Sequence, residues 1–338
     1  MTFRVGLIGT GGIARAHAQD YELNRDIAKV VAVTDVQRSF AEQMGKQLEA
    51  DVEENWETLL LRDDIDGVDI CLPHVLHAPG AIAAARAGKH VLVEKPMAMT
   101  LDEARTMVDA HNESGTTLMV AQHQRYQSDH RKLKELLDAG ALGRIFSARV
   151  DCNQYLYGAA PNGHWLNSKE MSGGGAVISV VVHKIDLLRY LIGEVKRAAS
   201  FQLTSGINPG MDCEDVSTAI IQFENGAIAE VFSSYASHRN PFPATGELLI
   251  LYGEHGTLSN VGGWHLYSTA LPEYSGGMTR LELWSDNAMA NEIRHWIESI
   301  AAGTEPLSSG RDNLKTMAVV DAIYRSAETG QITTVTPA

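Results

Sequence analysis

Cysteine is scarce: Cys71, Cys152 and Cys213 are the only three in 338 residues. They are far apart and odd in number, which excludes a disulfide framework and a Cys-x-x-Cys metal site; a reducing, cytoplasmic setting is expected, with no metal. Basic charge is also short. Lys and Arg number 28 against 42 Asp and Glu, for a net charge of −14, so the basic face that nucleic acid or an anionic membrane demands is not expected. No run of about 18 apolar residues is available to span a bilayer. Glycines break the only early apolar run and no basic stretch precedes it, so a signal peptide is not expected. There is no internal repeat and no low-complexity segment. What remains is an ordinary globular composition, 44% apolar and 21% charged. The chain is longer than the about 250–300 residues one core usually holds, which predicts two domains.

The first half alternates strands with helices, the pattern of a doubly wound parallel sheet. Phe3 to Ile8 reads as a strand and runs into Gly9-Thr10-Gly11-Gly12-Ile13-Ala14. That is the G-x-G-x-x-A dinucleotide fingerprint in its required setting, between a strand and a helix. Gly9 permits the tight turn and Gly11 lets the backbone approach a pyrophosphate. Ala14 lets the helix pack closely, and the first helical N–H groups, from Gly12 and Ile13, meet the phosphates. A second strand, 29–34, ends at Asp35, 21 residues beyond Ala14. An acid at this spacing binds the adenosine ribose hydroxyls and repels a 2′-phosphate, so NAD is expected; Arg38 leaves NADP open.

A third strand, 66–72, ends at Pro73-His74, and His77-Ala78-Pro79 opens an Ala-rich helix that stops at Gly88. His90 to Val93 reads as a short buried strand with Glu94-Lys95-Pro96 at its end. Open α/β sheets bind ligands at the carboxyl ends of their strands, so this charged pair is placed for chemistry. Pro96 biases Lys95 toward an extended conformation. Thr100-Leu101-Asp102-Glu103 is a capping box, Gly115 a helix stop, and 117–121 the last strand of this half.

The second half reads as an α+β domain with an open, mostly antiparallel sheet. Ser128 starts a helix stopped by Gly140, a strand covers 145–151, and Asn225-Gly226 marks a hairpin. The stretch 153–172 is a polar loop holding Tyr155, Tyr157, His164 and Trp165, aromatics suited to the apolar faces of a sugar ring. Gly173-Gly174-Gly175-Ala176 then opens an apolar helix ending at Gly193, on which Ser179, His183 and Asp186 form one polar stripe by the 3.6-residue repeat. Further helices are expected over 292–302 and 312–329.

The string PHVLHAPGAIAAARAGKHVLVEKPMA, from Pro73 to Ala98, resembles the signature of the Gfo/Idh/MocA oxidoreductases. Gln122 to Tyr126, QHQRY, is similar to that family's crossover segment, and the glycine triplet with its helix and the 291–335 string extend the resemblance over nearly the whole chain. It implies a Rossmann domain over 1–122 and a substrate and oligomerisation domain over 123–338. It implies that Lys95 contacts the reacting hydroxyl or carbonyl, that Pro73, His74, His77 and Glu94 lie by the cofactor, and that His183 is the acid–base residue with Asp186 downstream. Gln122, Tyr155, Trp165 and Ser179 complete the implied substrate set. The family commonly has Asp at position 179, Gly at 181 and Asn at 74; here stand Ser179, Val181 and His74. A Ser cannot serve as a carboxylate base.

The implied function is NAD(P)-dependent hydride transfer at a secondary alcohol or ketone of a sugar, sugar derivative or cyclitol, by a homodimer or homotetramer joined through the C-terminal sheet. An imidazole titrates near neutrality and suits a base, and a Lys suits a developing alkoxide. Two alternatives are a redox-neutral enzyme with tightly bound NAD and, further off, a dinucleotide-binding regulator.

Overall fold

The computed structural model describes residues 2–156, 160, 162–237 and 247–336. The chain divides into two compact units. One comprises Met1–Gln127 and Asp286–Leu314, the other Ser128–Ser285 and Lys315–Ala338. The first unit therefore runs past residue 122 and takes in a segment from near the C-terminus.

In the first unit, β1 (Phe3–Ile8), β2 (Ala28–Thr34), β3 (Asp51–Val52), β4 (Gly67–Ile70), β5 (His90–Val93) and β6 (Leu118–Val120) form a six-stranded parallel sheet. Its order is β3-β2-β1-β4-β5-β6. The order reverses between β1 and β4, so the strand ends at Ile8 and Ile70 flank the switch point where such sheets bind ligands. The helices are α1 (Gly12–Leu23), α2 (Arg38–Leu48), α3 (Trp56–Leu60), α4 (His77–Arg86) and α5 (Leu101–Ser114). The capping box of α5 is present, Thr100 accepting from Glu103 N and Glu103 from Thr100 N, and the helix ends at a left-handed Gly115. Val5, Leu7 and Val33 from the strands pack with Ala14, Ala18 and Tyr21 of α1. Ile293 and Trp296 join that core from a helix at Ala288–Ala302, which starts earlier than the predicted 292 because Asn287 caps it by accepting from Ala290 N at 3.1 Å.

The second unit holds α6 (Ser128–Asp138), β7 (Ile145–Asn153), α7 (Lys169–Ser172), α8 (Val182–Ile192) and β8 (Val195–Leu203). There follow β9 (Val216–Phe223), β10 (Ile228–Ser234), β11 (Glu247–Gly253), β12 (Gly256–Ser259), β13 (His265–Ser268), β14 (Thr279–Arg280) and β15 (Thr333–Thr334). These strands make one nine-stranded sheet, β14-β13-β12-β11-β7-β10-β9-β8-β15. The β10–β7 pairing is parallel and the others antiparallel. β9 and β10 form the predicted hairpin, with Gly226 left-handed. Alternation sets the two faces. Ala148, Val150, Ala219, Ile221, Ala229 and Val231 are buried on one, whereas Phe201, Ile220 and Ile228 stand exposed on the other.

Candidate active site

The fingerprint loop shows why each glycine is there. Gly9 has φ +89°, and a Cβ on it would lie 2.3 Å from the Cys71 carbonyl oxygen, so no other residue fits between β1 and the end of β4. At Gly11 and Gly12 a Cβ would meet nothing within 4 Å, so the main chain is open to close approach. Gly11 is the N-cap of α1 and supplies no side-chain cap, leaving the first N–H groups to an anion. Asp35 Oδ2 accepts from Thr10 N at 2.7 Å and Thr10 Oγ1 at 3.0 Å, and Oδ1 accepts from Gln37 N at 2.8 Å. The acid after β2 is thus fixed against the loop, with lone pairs left for ribose hydroxyls. Arg38 is exposed and pairs with Glu42 at 3.0 Å; Ile13 is partly exposed beside the loop. These residues fit a dinucleotide.

At the ends of β4 and β5, His77 has no exposed surface, and its ring nitrogens lie 2.7 Å from the Pro96 carbonyl oxygen and 2.8 Å from that of Leu72. It ties the Glu94-Lys95-Pro96 turn to the Pro73 turn. Burial holds it below the usual imidazole range, against the pull of those carbonyls. His74 is buried, with its ring 5.6 Å from that of His77. The Lys95–Pro96 peptide is cis. Lys95 is half-buried; burial lowers its ammonium pKa and Glu94 opposes the shift. Gln122 is fully buried at the end of β6.

Sequence reasoning missed the group under this turn. His17, on α1, places Nδ1 2.8 Å from Asp69 Oδ2 and Nε2 3.1 Å from Glu94 Oε1. Tyr21 donates to the same Asp69 oxygen at 3.0 Å, and Glu94 Oε2 accepts from Lys95 N at 3.0 Å. Burial alone would push His17 down, but Asp69 and the neighbouring Cys71 hold it well above its ordinary value. Burial would raise Glu94, yet His17, Lys95 and His123 bring it down to about 2. His17, Asp69 and Cys71 also offer ligand atoms within 4.8 Å of one another, although both ring nitrogens of His17 face carboxylates.

In the second unit the glycine triplet has a structural cause. A Cβ on Gly175 would sit 1.7 Å from the Glu214 carbonyl oxygen, and one on Gly174 2.1 Å from the Tyr324 hydroxyl. The Glu214 carboxylate accepts from Gly175 N (2.8 Å), Val177 N (3.1 Å) and Tyr324 Oη (2.8 Å), capping the segment that carries His183. Burial raises the Glu214 pKa despite these bonds. Val177–Val181 forms a π-helical turn before α8, so the 3.6-residue repeat does not hold from Ser179 to His183. All three stripe residues are buried. Burial raises the Tyr235 hydroxyl pKa, with the neighbouring Ser179 opposing the shift. Asp186 Oδ1 accepts from Thr316 Oγ1 at 2.9 Å and lies 3.8 Å from Arg189 Nη1, which fastens α8. Tyr155 bridges to Ala236 and is partly exposed; the Trp165 ring lies 5.6 Å from that of His164. Tyr157 lies outside the described residues.

A switch-point sheet, a phosphate-approach loop and an acid fixed beyond β2 define an NAD-binding dehydrogenase. Residues 3–122 match the model of an oxidoreductase family with an NAD-binding Rossmann fold, and residues 130–259 match the GFO/IDH/MocA C-terminal domain. The chain is 32% identical over 346 residues to the D-apiose dehydrogenase of Paraburkholderia graminis, covering 97% of this chain and 88% of that one. It is 28% identical over 344 residues to the inositol 2-dehydrogenase of Rhizobium meliloti, covering 98% and 99%. Its fold is similar to that of levoglucosan dehydrogenase in complex with NADH and levoglucosan, with TM-score 0.89 and 26% identity over 99% of this chain and 100% of that one. The chain belongs to the Gfo/Idh/MocA family and is an NAD-dependent oxidoreductase acting on CH–OH groups. Among the described residues no helix is long and apolar enough to cross a membrane.

Proposed function

We propose that the enzyme interconverts a secondary alcohol and a ketone on a sugar, sugar derivative or cyclitol. The observation that carries this is the Glu94-Lys95 turn, held by buried groups at the carboxyl end of β5. The names of the relatives, apiose, levoglucosan and inositol dehydrogenases, support the substrate class. NAD, when bound, supplies the redox partner of the alcohol carbon. Lys95 holds the reacting hydroxyl and stabilises developing alkoxide charge. His183 takes the hydroxyl proton. Glu214 holds the turn that presents His183, and Asp186, through Thr316 and Arg189, fixes the helix. The loop over 153–172, with Tyr155 and Trp165, together with Gln122 and Ser179, serves substrate recognition. Pro73, His74 and His77 flank the cofactor.

The active form in this reading is a homodimer or homotetramer joined through the open face of the nine-stranded sheet. Exposed Phe201, Ile220 and Ile228 on that face support it. Three buried free thiols favour a reducing cytoplasm.

The test is reduced-nicotinamide absorbance with a panel of sugars, sugar acids and cyclitols, offering NAD and NADP separately. A signal with NAD and at least one member is expected. Silence across the panel, with NAD binding intact, would overturn the dehydrogenase reading in favour of a redox-neutral reaction.

A further inference from the structure

His17 lies 52 residues from Asp69 and 77 from Glu94, has no exposed surface, and touches a carboxylate with each ring nitrogen. A neutral imidazole carries a single N–H. One of the two carboxylates would then face a ring lone pair in a dry interior, a repulsive contact. The geometry therefore calls for the imidazolium, donating to both. From there the link runs on. Glu94 turns its second oxygen to the Lys95 N–H, while Asp69 accepts from the Tyr21 hydroxyl on the same Oδ2 that meets His17 and, at 3.5 Å, from the Cys71 thiol on Oδ1. One chain of charged bonds thus joins the fingerprint helix α1, strand β4 and the main chain of Lys95.

We propose that His17 is a positioning residue for the reaction: by bridging Asp69 and Glu94 it keeps Glu94 an anion, and Glu94 in turn places the Lys95 main chain and sustains the Lys95 ammonium. The inference rests on the reading of Lys95 as the group that holds the reacting hydroxyl. The charges support it. Two buried carboxylates stand against the imidazolium and the Lys95 ammonium, and the set is neutral. Without the imidazolium, Glu94 loses the partner that does most to keep it an anion against the effect of its burial. Glu94 is the group that opposes the effect of burial on Lys95. Neutralising it lets burial drive the ammonium toward the amine, which cannot stabilise an alkoxide as a cation does. The other titratable groups of the first unit that face the link are Asp20 and Tyr21 on α1, Cys71 after β4, His77 on α4, His123 after β6 and, acting on Tyr21, Glu292. Of these the Cys71 thiol also reaches the His17 ring, 3.7 Å from Nδ1, and the ring's carboxylate partners are Asp69 and Glu94.

The test is the pH profile of kcat/KM for alcohol oxidation in the full-length enzyme, wild type against His17→Asn, Glu94→Gln and the double variant. In the wild type the alkaline limb reports loss of the Lys95 proton. Each single variant is expected to move that limb to lower pH by about 1–3 units, the effect of one nearby charge. The double variant should move it no further than either single one. A purely structural His17 would lower melting temperature and kcat with the limb unmoved, and that result overturns the proposal. Should His17→Asn fail to fold, Asp69→Asn removes the carboxylate that supports the imidazolium and is expected to give the same direction of shift; an unmoved limb there overturns it equally. Failure of the underlying reading is separate, because Lys95→Met would then keep its turnover.

Discussion

Thr10 and Asp35, from the turns after β1 and β2, share two hydrogen bonds: Asp35 Oδ2 accepts from both the main-chain N–H and the hydroxyl of Thr10. The acid proposed to read the ribose and the loop proposed to meet the pyrophosphate are therefore one rigid piece. Asp35→Ala should weaken NAD by at least about tenfold and narrow the preference for NAD over NADP, since the repulsion of a 2′-phosphate goes with the carboxylate. The ratio of kcat/KM for the two cofactors is the measurement. An unchanged ratio would mean Asp35 only braces the loop.

Lys95→Met should lower kcat by about 10²–10⁴-fold while leaving the NAD dissociation constant within about threefold. Fluorescence titration of NADH measures binding, and the absorbance assay measures turnover. Near-wild-type turnover would remove Lys95 from the reaction.

Two glycines make opposite predictions. At Gly175 an added methyl would collide with the Glu214 main chain, which cannot step aside, so Gly175→Ala should cost at least about 3 kcal/mol in urea unfolding. At Gly11 a methyl meets nothing in the protein and φ is −73°. Gly11→Ala should therefore keep stability within about 0.5 kcal/mol yet weaken NAD, because the methyl occupies the approach to the helix N-terminus.

Signals that are local in the chain were legible. The fingerprint, the capping box at Thr100, the helix stop at Gly115 and the Asn225-Gly226 hairpin each need only residues a few positions apart. The parallel order followed from alternation of strand and helix. What escaped was long-range or aperiodic. His17 acquires its meaning from Asp69 and Glu94, and nothing within α1 distinguishes it from a core histidine. The glycine triplet marked the start of a helix, but the group that packs against it, Glu214, lies about 40 residues on, by the spacing of its bond to Gly175. The π-helical turn at Val177–Val181 breaks the repeat from which a stripe was drawn, and no single residue type announces such a turn. The short strands β3, β13, β14 and β15 carry too few residues to show a period of two. The return of Asp286–Leu314 to the first unit is tertiary packing, with Ile293 and Trp296 buried beside α1.

The open sheet face gives a test of assembly. Ile220 and Ile228 stand exposed on adjacent antiparallel strands, and Phe201 pairs with Thr218 on the same face. Ile220→Glu together with Phe201→Glu should shift the enzyme toward the monomer in light scattering coupled to gel filtration. The NAD dissociation constant should stay near wild type, since the fingerprint lies in the other unit. An unaltered mass would exclude this face as the interface.

The His17 link also sets a pH window for stability. Glu94 has a folded value of about 2 against an ordinary 4.5, so its contribution is present above 4.5 and lost as pH falls toward 2. His17 shifts the other way, well above 6.5, so its contribution is full below 6.5 and is lost as pH rises through the folded value. Both act together between 4.5 and 6.5. Above 6.5 the folded chain keeps a proton at His17 that the unfolded chain has released, and stability should fall by up to about 1.4 kcal/mol per pH unit from this group. His17→Asn should lose that component of the slope, so the gap in urea midpoint between wild type and variant should be widest near about pH 6 and should shrink as the pH is raised to about 9. Parallel profiles for the two proteins would show that the buried ring carries no extra proton.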